Sequence, residues 1–438
     1  MAEFNDDVFV GTWNVQLNYP RIFQDVATGD LDLTNIQNPL NGIRYLESKG
    51  GEIWRNTGGQ TWSKVDVTST PNDTGFRKMI EYDGWLYAGS ANSADGTKLY
   101  RSRNGTNWEA VTGGPTDVAA NNSNRTMLVK DGYLYVGTEN NETGGQLWRY
   151  SDGSQWEKVG DFPEDSSVSE LAMFDGDLYV GTWDFTDSFS LYRMTGPDAF
   201  ENITPTAADH PELAGLGNLG VMKLVEFQGQ LYLGTVNYRD GFTLMRSTAP
   251  GEPASWEILS TDGFGDRSNA YTWAITEWNG RLFLGTFHSG LFGGQYGPLP
   301  LDGRAELWCS VDGGSWDLLM DDGFGSRFTY GIRNILATDE ALYFGTASNF
   351  FLYDPAALAP YLSEWMAQMN LTEEQARRLY GFFAHLSTLA EGDWIGTEVY
   401  ALPHSAPVPE PATLTLVGLG LLGAGAGACR RRKRAPRL

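Results

Sequence analysis

One eight-residue phrase, Asp131-Gly132-Tyr133-Leu134-Tyr135-Val136-Gly137-Thr138, returns along the chain in seven versions. They end in Gly11-Thr12, Gly89-Ser90, Gly137-Thr138, Gly181-Thr182, Gly234-Thr235, Gly285-Thr286 and Gly345-Thr346. The first gap is 78 residues and the others are 48, 44, 53, 51 and 60. At such periods each repeat is one supersecondary unit that buries its apolar surface only against its neighbours. Within the phrase a polar turn leads into a short run of apolar, aromatic or β-branched residues. The run is too short for a helix and suits a strand buried on both faces. The glycine after it permits close backbone approach where the strand leaves its sheet.

A second strand follows each phrase after a variable loop, as in Lys98-Leu99-Tyr100-Arg101, Gln146-Leu147-Trp148-Arg149 and Glu306-Leu307-Trp308-Cys309. A Gly-containing turn and a Trp then open a third, as in Asn104-Gly105-Thr106-Asn107-Trp108 and Asp312-Gly313-Gly314-Ser315-Trp316. Asn-Gly and Asp-Gly between apolar runs are hairpin signals. With the strand before each phrase, exemplified by Arg125-Thr126-Met127-Leu128-Val129, every unit has four strands. The sequence thus predicts an all-β fold over residues 1–402, a seven-bladed β-propeller of four-stranded blades. The first repeat is expected to lack its opening strand and the last its fourth, so that the two ends complete one blade at an imperfect seam. No charged and apolar leader precedes the first repeat, and the expectation is that an N-terminal export segment belongs ahead of Met1.

The Trp-bearing turns resemble a shortened Asp-box of sialidase-like propellers, closest at Ser310, Asp312, Gly314 and Trp316, with one residue missing between Asp and Trp. In that family the box is structural, so the resemblance implies a fold more than an activity.

Loops between the second and third strands of a blade, and those between blades, should emerge on one face. The large insertions, residues 13–50, 287–304 and 347–395, are all of the first kind, and long loops on a rigid scaffold are where binding concentrates. The third predicts a helical insertion in the last blade, about 355–392. Leu358, Tyr361, Leu362, Trp365 and Met369 fall at helical spacing, as do Ala376, Leu379, Phe383, Leu386 and Ala390, with a capping box at Thr372 and Gln375. The inter-blade loops contain a repeated segment, Asp262-Gly263-Phe264-Gly265-Asp266-Arg267 and Asp322-Gly323-Phe324-Gly325-Ser326-Arg327. Asp262, Phe264, Arg267, Asp322, Phe324 and Arg327 are candidates for a ligand face at the axial mouth, against the plainer reading of turns held by local hydrogen bonds.

Beyond Leu402 the composition changes. Residues 403–411 are a Pro-rich linker, 412–429 an uncharged run of 18 residues, and 430–438 a basic tail. As a helix the run is about 27 Å long, enough to cross a thin bilayer, with the basic end cytoplasmic and the propeller outside. Pro409-Glu410-Pro411, the apolar run and then Arg430-Arg431-Arg432-Lys433-Arg434 together resemble a bacterial PEP-CTERM sorting signal. That resemblance implies an exosortase-type processing enzyme as a partner, cleavage near the Pro-Glu-Pro motif, and delivery to the cell envelope or surface, often beside exopolysaccharide.

The formal charge is −24, and without the six basic residues of the tail the body has 25 basic against 55 acidic residues. Such a body repels phosphate backbones and argues against nucleic acid as a partner. Two cysteines and four scattered histidines form no metal-ligand spacing, and no cofactor motif is present. No catalytic residue can be named. Sequence therefore favours an exported, non-catalytic binding or matrix module for extracellular polysaccharide or envelope proteins. The alternative is a sialidase-like or lyase-type glycan-active enzyme, which would need arginines (Arg77, Arg125, Arg267, Arg327 and Arg333 lie near innermost strands) together with an acid and a nucleophile.

Overall fold

A computed structural model describes residues 1–17, 46–59, 61–151, 155–184, 189–289, 304–326, 329–348, 398–404 and 417–419. The helical insertion expected at about 355–392, most of the linker and the basic tail lie outside the described residues. The described residues form antiparallel four-stranded units in a propeller-like, all-β arrangement. The third unit is representative: Ser123–Lys130, Tyr133–Glu139, Gly145–Tyr150 and Glu157–Phe162 pair in sequence order. Single bridges tie the end of each second strand to the start of the next unit, at Trp13 with Gly75, Ala91 with Ser123, Glu139 with Ser167, Trp183 with Gly220, Val236 with Tyr271 and Phe287 with Gly331.

The recurring phrase acquires a physical explanation residue by residue. Its leading turn is a two-residue hairpin in which both residues have positive φ, as at Asp83-Gly84, Asp131-Gly132, Asp175-Gly176, Gln228-Gly229 and Asn279-Gly280. That geometry matches the right-handed twist of the flanking strands and selects Asp, Asn and Gly. Its apolar run fills the space between blades: Leu134, Val136, Leu231, Leu233, Leu282 and Leu284 are fully buried.

The glycine faces the next blade. A Cβ there would lie 2.7 Å from Phe76 Cβ at Gly11, 2.7 Å from Asn124 Cβ at Gly89, 2.5 Å from Val168 Cγ1 at Gly137, 2.5 Å from Val221 Cγ1 at Gly181, 2.0 Å from Thr272 Oγ1 at Gly234 and 2.5 Å from Ile332 Cβ at Gly285. Only glycine admits so close a neighbour. The final Thr or Ser hydroxyl accepts the backbone N–H that opens the third strand. This bond recurs from Glu52 to Thr12 (2.9 Å), Lys98 to Ser90 (2.9 Å), Gln146 to Thr138 (3.1 Å), Ser190 to Thr182 (2.9 Å), Thr243 to Thr235 (2.8 Å), Glu306 to Thr286 (2.9 Å) and Glu398 to Thr346 (2.9 Å). It pins the base of each loop whatever the loop's length, which is how large insertions are carried without opening the blade.

At the ends the structure corrects the expected seam. The first unit has an opening strand, Ala2–Phe4, formed because Asn5 and Asp6 adopt positive φ and fold it back on Asp7–Gly11. The last unit pairs Val399–Pro403 with its second strand, and Val417–Leu419 pairs in turn with Val399–Ala401. The two ends thus share no blade. Those three residues are a strand where the sequence predicts part of a helix, and among the described residues no helix is long and apolar enough to cross a membrane. At the seam, a Cβ on Gly345 would meet only the Met1 sulfur, at 3.4 Å, on the neighbouring blade.

Candidate functional site

Six innermost strands break register at an equivalent place. The breaks lie between Phe76 and Lys78, Asn124 and Thr126, Val168 and Glu170, Val221 and Lys223, Thr272 and Ala274, and Ile332 and Asn334. The extra residues are Arg77, Arg125, Ser169, Met222, Trp273 and Arg333. A bulge takes its extra residue out of the ladder and re-aims the side chain. Arginines from the second, third and seventh blades are thereby brought into one cluster, which is possible only where innermost strands converge.

Arg125 Nη1 lies 2.7 Å from Glu139 Oε2, and Arg77 Nη2 is 3.7 Å from the same oxygen. Arg77 also stacks over Trp13, 4.5 Å from its ring centroid, with Arg333 5.5 Å from that centroid and 5.4 Å from the Trp273 ring. Arg125 covers Trp183 at 4.4 Å. Planar guanidinium groups suit both carboxylate pairing and aromatic faces. Arg333 has no carboxylate partner among the described residues, and the buried Nε of Arg77 has no hydrogen-bond acceptor among them.

Burial pulls Arg77 down to about 9, and the neighbouring Arg125 charge adds to the effect while Glu139 opposes it. Arg333 is lowered by burial and by Arg125. Burial works to raise Glu139, but Arg125 and Arg77 outweigh it and hold the carboxyl below its ordinary value. Next along the strands, Lys223 Nζ pairs with the Glu170 carboxylate. Lys78 is lowered chiefly by burial, with Glu170 supporting its charge and Lys223 opposing it. The cluster thus sets Arg77, Lys78, Arg125, Lys223 and Arg333 against Glu139 and Glu170, an excess of positive charge inside a chain whose formal charge is −24. A positive centre in an acidic body focuses anions toward itself.

Aromatic side chains frame these charges. Tyr271 stacks on Phe287 with centroids 4.2 Å apart, Trp183 meets Tyr271 edge-on at 5.8 Å, and Tyr330 lies 5.7 Å from Trp273. Tyr238 touches Tyr271 through its hydroxyl. Trp13 and Tyr238 are 36% and 40% exposed, unlike the buried aromatics of the blade interfaces.

The loop residues proposed from sequence sit differently. Asp262 Oδ1 accepts the Gly265 N–H at 3.0 Å, and Phe264, at φ 61°, packs 5.1 Å from Phe242 and 4.7 Å from Trp308. Phe324 stacks on Tyr400 at 4.2 Å, and Asp322 and Arg267 are exposed. Arg327 lies outside the described residues. In the Asp-box-like turn, Asp312 Oδ1 accepts the N–H groups of Gly314 (2.9 Å) and Ser315 (2.7 Å), a local structural duty. Among the described residues no group of three or more His, Cys, Asp or Glu side chains is placed to hold a metal. A signal for the bulge cluster existed in the sequence: Arg77, Arg125, Ser169, Met222, Trp273 and Arg333 each stand 12 residues before the glycine of their own phrase.

Residues 407–433 match the PEP-CTERM protein-sorting motif. The motif marks the chain as exported, sorted to the cell surface and processed by an exosortase. A search of curated proteins finds no match. Among solved structures, propeller neighbours include a Trypanosoma rangeli sialidase in complex with sialic acid, at 14% identity and TM-score 0.35, covering 66% of this chain and 54% of that one. The WD40 β-propeller domain of Doa1 shows 11% identity and TM-score 0.40 over 69% and 84%. A Bacteroides ovatus GH43B protein of a xyloglucan utilisation locus shows 16% identity and TM-score 0.32 over 56% and 54%. The chain spans about half the length of the glycosidase structures it matches. Likeness at this level carries no ligand or activity across.

Proposed function

We propose that the chain is a closed seven-bladed propeller that works at the bacterial surface as a non-catalytic binding module for a glycan or envelope partner, with its site at the axial mouth. The carrying observation is the convergence of bulge arginines and aromatic rings from several blades on one point. Proton-transfer catalysis on a glycosidic bond asks for a carboxyl held protonated beside a second carboxylate. The cluster offers the opposite: Glu139 is kept ionised by Arg125 and Arg77, and Glu170 is engaged by Lys223. This supports binding over turnover.

In this reading residues 412–429 are a membrane stem before processing near Pro409-Glu410-Pro411, with Arg430 to Arg434 on the cytoplasmic side. Val417–Leu419 then exchange their pairing with Val399–Ala401 for lipid. The turns bearing Asp262, Arg267 and Asp322 border the same face and extend the site outward. Binding to a glycan array, followed by hydrolysis assays on the bound glycans, tests the reading. Binding without product is expected; product release would overturn it, as would the absence of any bound glycan or envelope component.

A further inference from the structure

Resting on that binding reading, we infer that the axial site recognises carboxylate-bearing sugars, the repeating units of an acidic polysaccharide, with Arg333 and Arg77 as the residues that select the charge. The first argument is electrostatic. The chain as a whole is strongly acidic, so a polyanion is repelled everywhere except where the sign reverses, and it reverses at the bulge cluster.

The second argument is vacancy in bonding rather than in space. Arg125 is engaged by Glu139 at 2.7 Å, whereas Arg333 meets only the faces of Trp13 and Trp273 among the described residues, and Arg77 reaches Glu139 at 3.7 Å with its Nε unbonded. A guanidinium presents its donors in the plane and its π face perpendicular to them. A ring on the face therefore leaves the in-plane fork available for a bidentate carboxylate. Glu139 provides the pattern within the protein: a carboxylate is what the cluster already holds.

The third argument concerns the rest of the ligand. Trp13 and Tyr238 expose their rings beside these arginines, and an exposed aromatic face next to a charge fork fits a pyranose ring bearing its carboxylate at the edge. A phosphate or sulfate group would satisfy the charge without the ring. A neutral sugar would satisfy the ring and leave buried cations unpaired.

The test is calorimetric titration of the full chain in detergent with oligogalacturonate, with its fully methyl-esterified form, with dextran sulfate and with inorganic phosphate. Oligogalacturonate is expected to bind, and the ester, which keeps the rings and loses the charges, to bind at least about tenfold more weakly. Arg333→Gln breaks no ion pair among the described residues and should fold normally; it is expected to weaken oligogalacturonate about tenfold or more, with Arg333→Lys recovering part of the loss. The double variant Arg125→Gln/Glu139→Gln removes both members of the internal pair and reports on the cluster without stranding a charge. Equal binding of acid and ester, binding of sulfate or phosphate in preference to the uronate, or no effect of Arg333→Gln each overturns the inference. Binding of neutral glycans alone overturns it while leaving the binding-module reading in place, whereas depolymerisation of oligogalacturonate overturns that reading itself.

Discussion

Replacing the phrase glycines with alanine one at a time tests the packing of the ring, because six of the seven positions should be intolerant and one should not. At Gly137 an added Cβ would lie 2.5 Å from Val168 Cγ1 and 2.8 Å from Thr126 Cγ2, and at Gly285 2.5 Å from Ile332 Cβ and 2.7 Å from its Cγ2. Ordinary carbon contacts are about 3.5–4.0 Å, so neighbouring blades must part by roughly 1 Å, within an interior too dense to absorb it. Overpacking of this kind costs about 1–3 kcal/mol. Gly345 differs, since its Cβ would meet only the Met1 sulfur at 3.4 Å, the tip of a flexible side chain. Neither Gly137, Gly285 nor Gly345 has a positive φ, so alanine is allowed by the backbone at all three. At Gly345 it should be neutral, or stabilising by about 0.4–1 kcal/mol through the unfolded chain. Urea midpoints for Gly137→Ala, Gly285→Ala and Gly345→Ala decide the matter. A Gly345 variant as damaged as the others, or harmless substitutions at Gly137 and Gly285, would refute the packing argument.

Three further outcomes follow from other parts of the molecule. Thr235→Val keeps the shape but leaves the Thr243 N–H, now 2.8 Å from the hydroxyl, without its acceptor, and removes a bond to Asn218 Oδ1; unfolding should show a loss of about 1–3 kcal/mol, the cost of a buried unsatisfied group. The His288 hydrogen bond, with backbone help from Ser268, holds the Asp266 carboxyl down to about 2. A depressed carboxyl contributes stability above its unfolded value near about 3.9 and loses it as pH falls toward 2. The urea midpoint of Asp266→Asn should therefore lie below that of the unchanged chain at pH 5 and converge with it as pH drops through that window. Substituting Pro409, Glu410 and Pro411 with alanine in an exporting host should leave the tail attached, read as a larger membrane-bound species by immunoblot; normal release would contradict the assigned processing motif.

Much of the scaffold was legible because its cause is local. Asp131-Gly132 specifies a hairpin, Gly137 a close approach and Thr138 a loop pin, and each lies inside one short phrase. The seam was misjudged for a reason equally local: Asn5-Asp6 carries the same turn chemistry without glycine, and two positive-φ residues were enough to make Ala2–Phe4 a strand. The site was only half visible. Arg77, Arg125 and Arg333 could be placed near innermost strands, but their convergence depends on a register break in each strand, which a polar residue between apolar ones does not announce. Phe264 and Phe324, exposed in appearance within Gly-rich loops, instead pack on Trp308 and Tyr400, because a large ring beside an open blade edge is drawn under it by burial.

Everything assigned to the axial mouth depends on the first and seventh blades meeting, since Arg333 belongs to one end of the chain and Arg77 to the other. Glu3 on the opening strand is held within electrostatic reach of Asp339 and Glu340 in the last blade's hairpin. Cysteines at Glu3 and Glu340, in a chain whose Cys309 and Cys429 are replaced by serine, should be joined within one molecule by a short bismaleimide at a rate independent of protein concentration. A crosslink that forms only between molecules, or not at all, would mean that the ring is open and the arginine cluster does not exist.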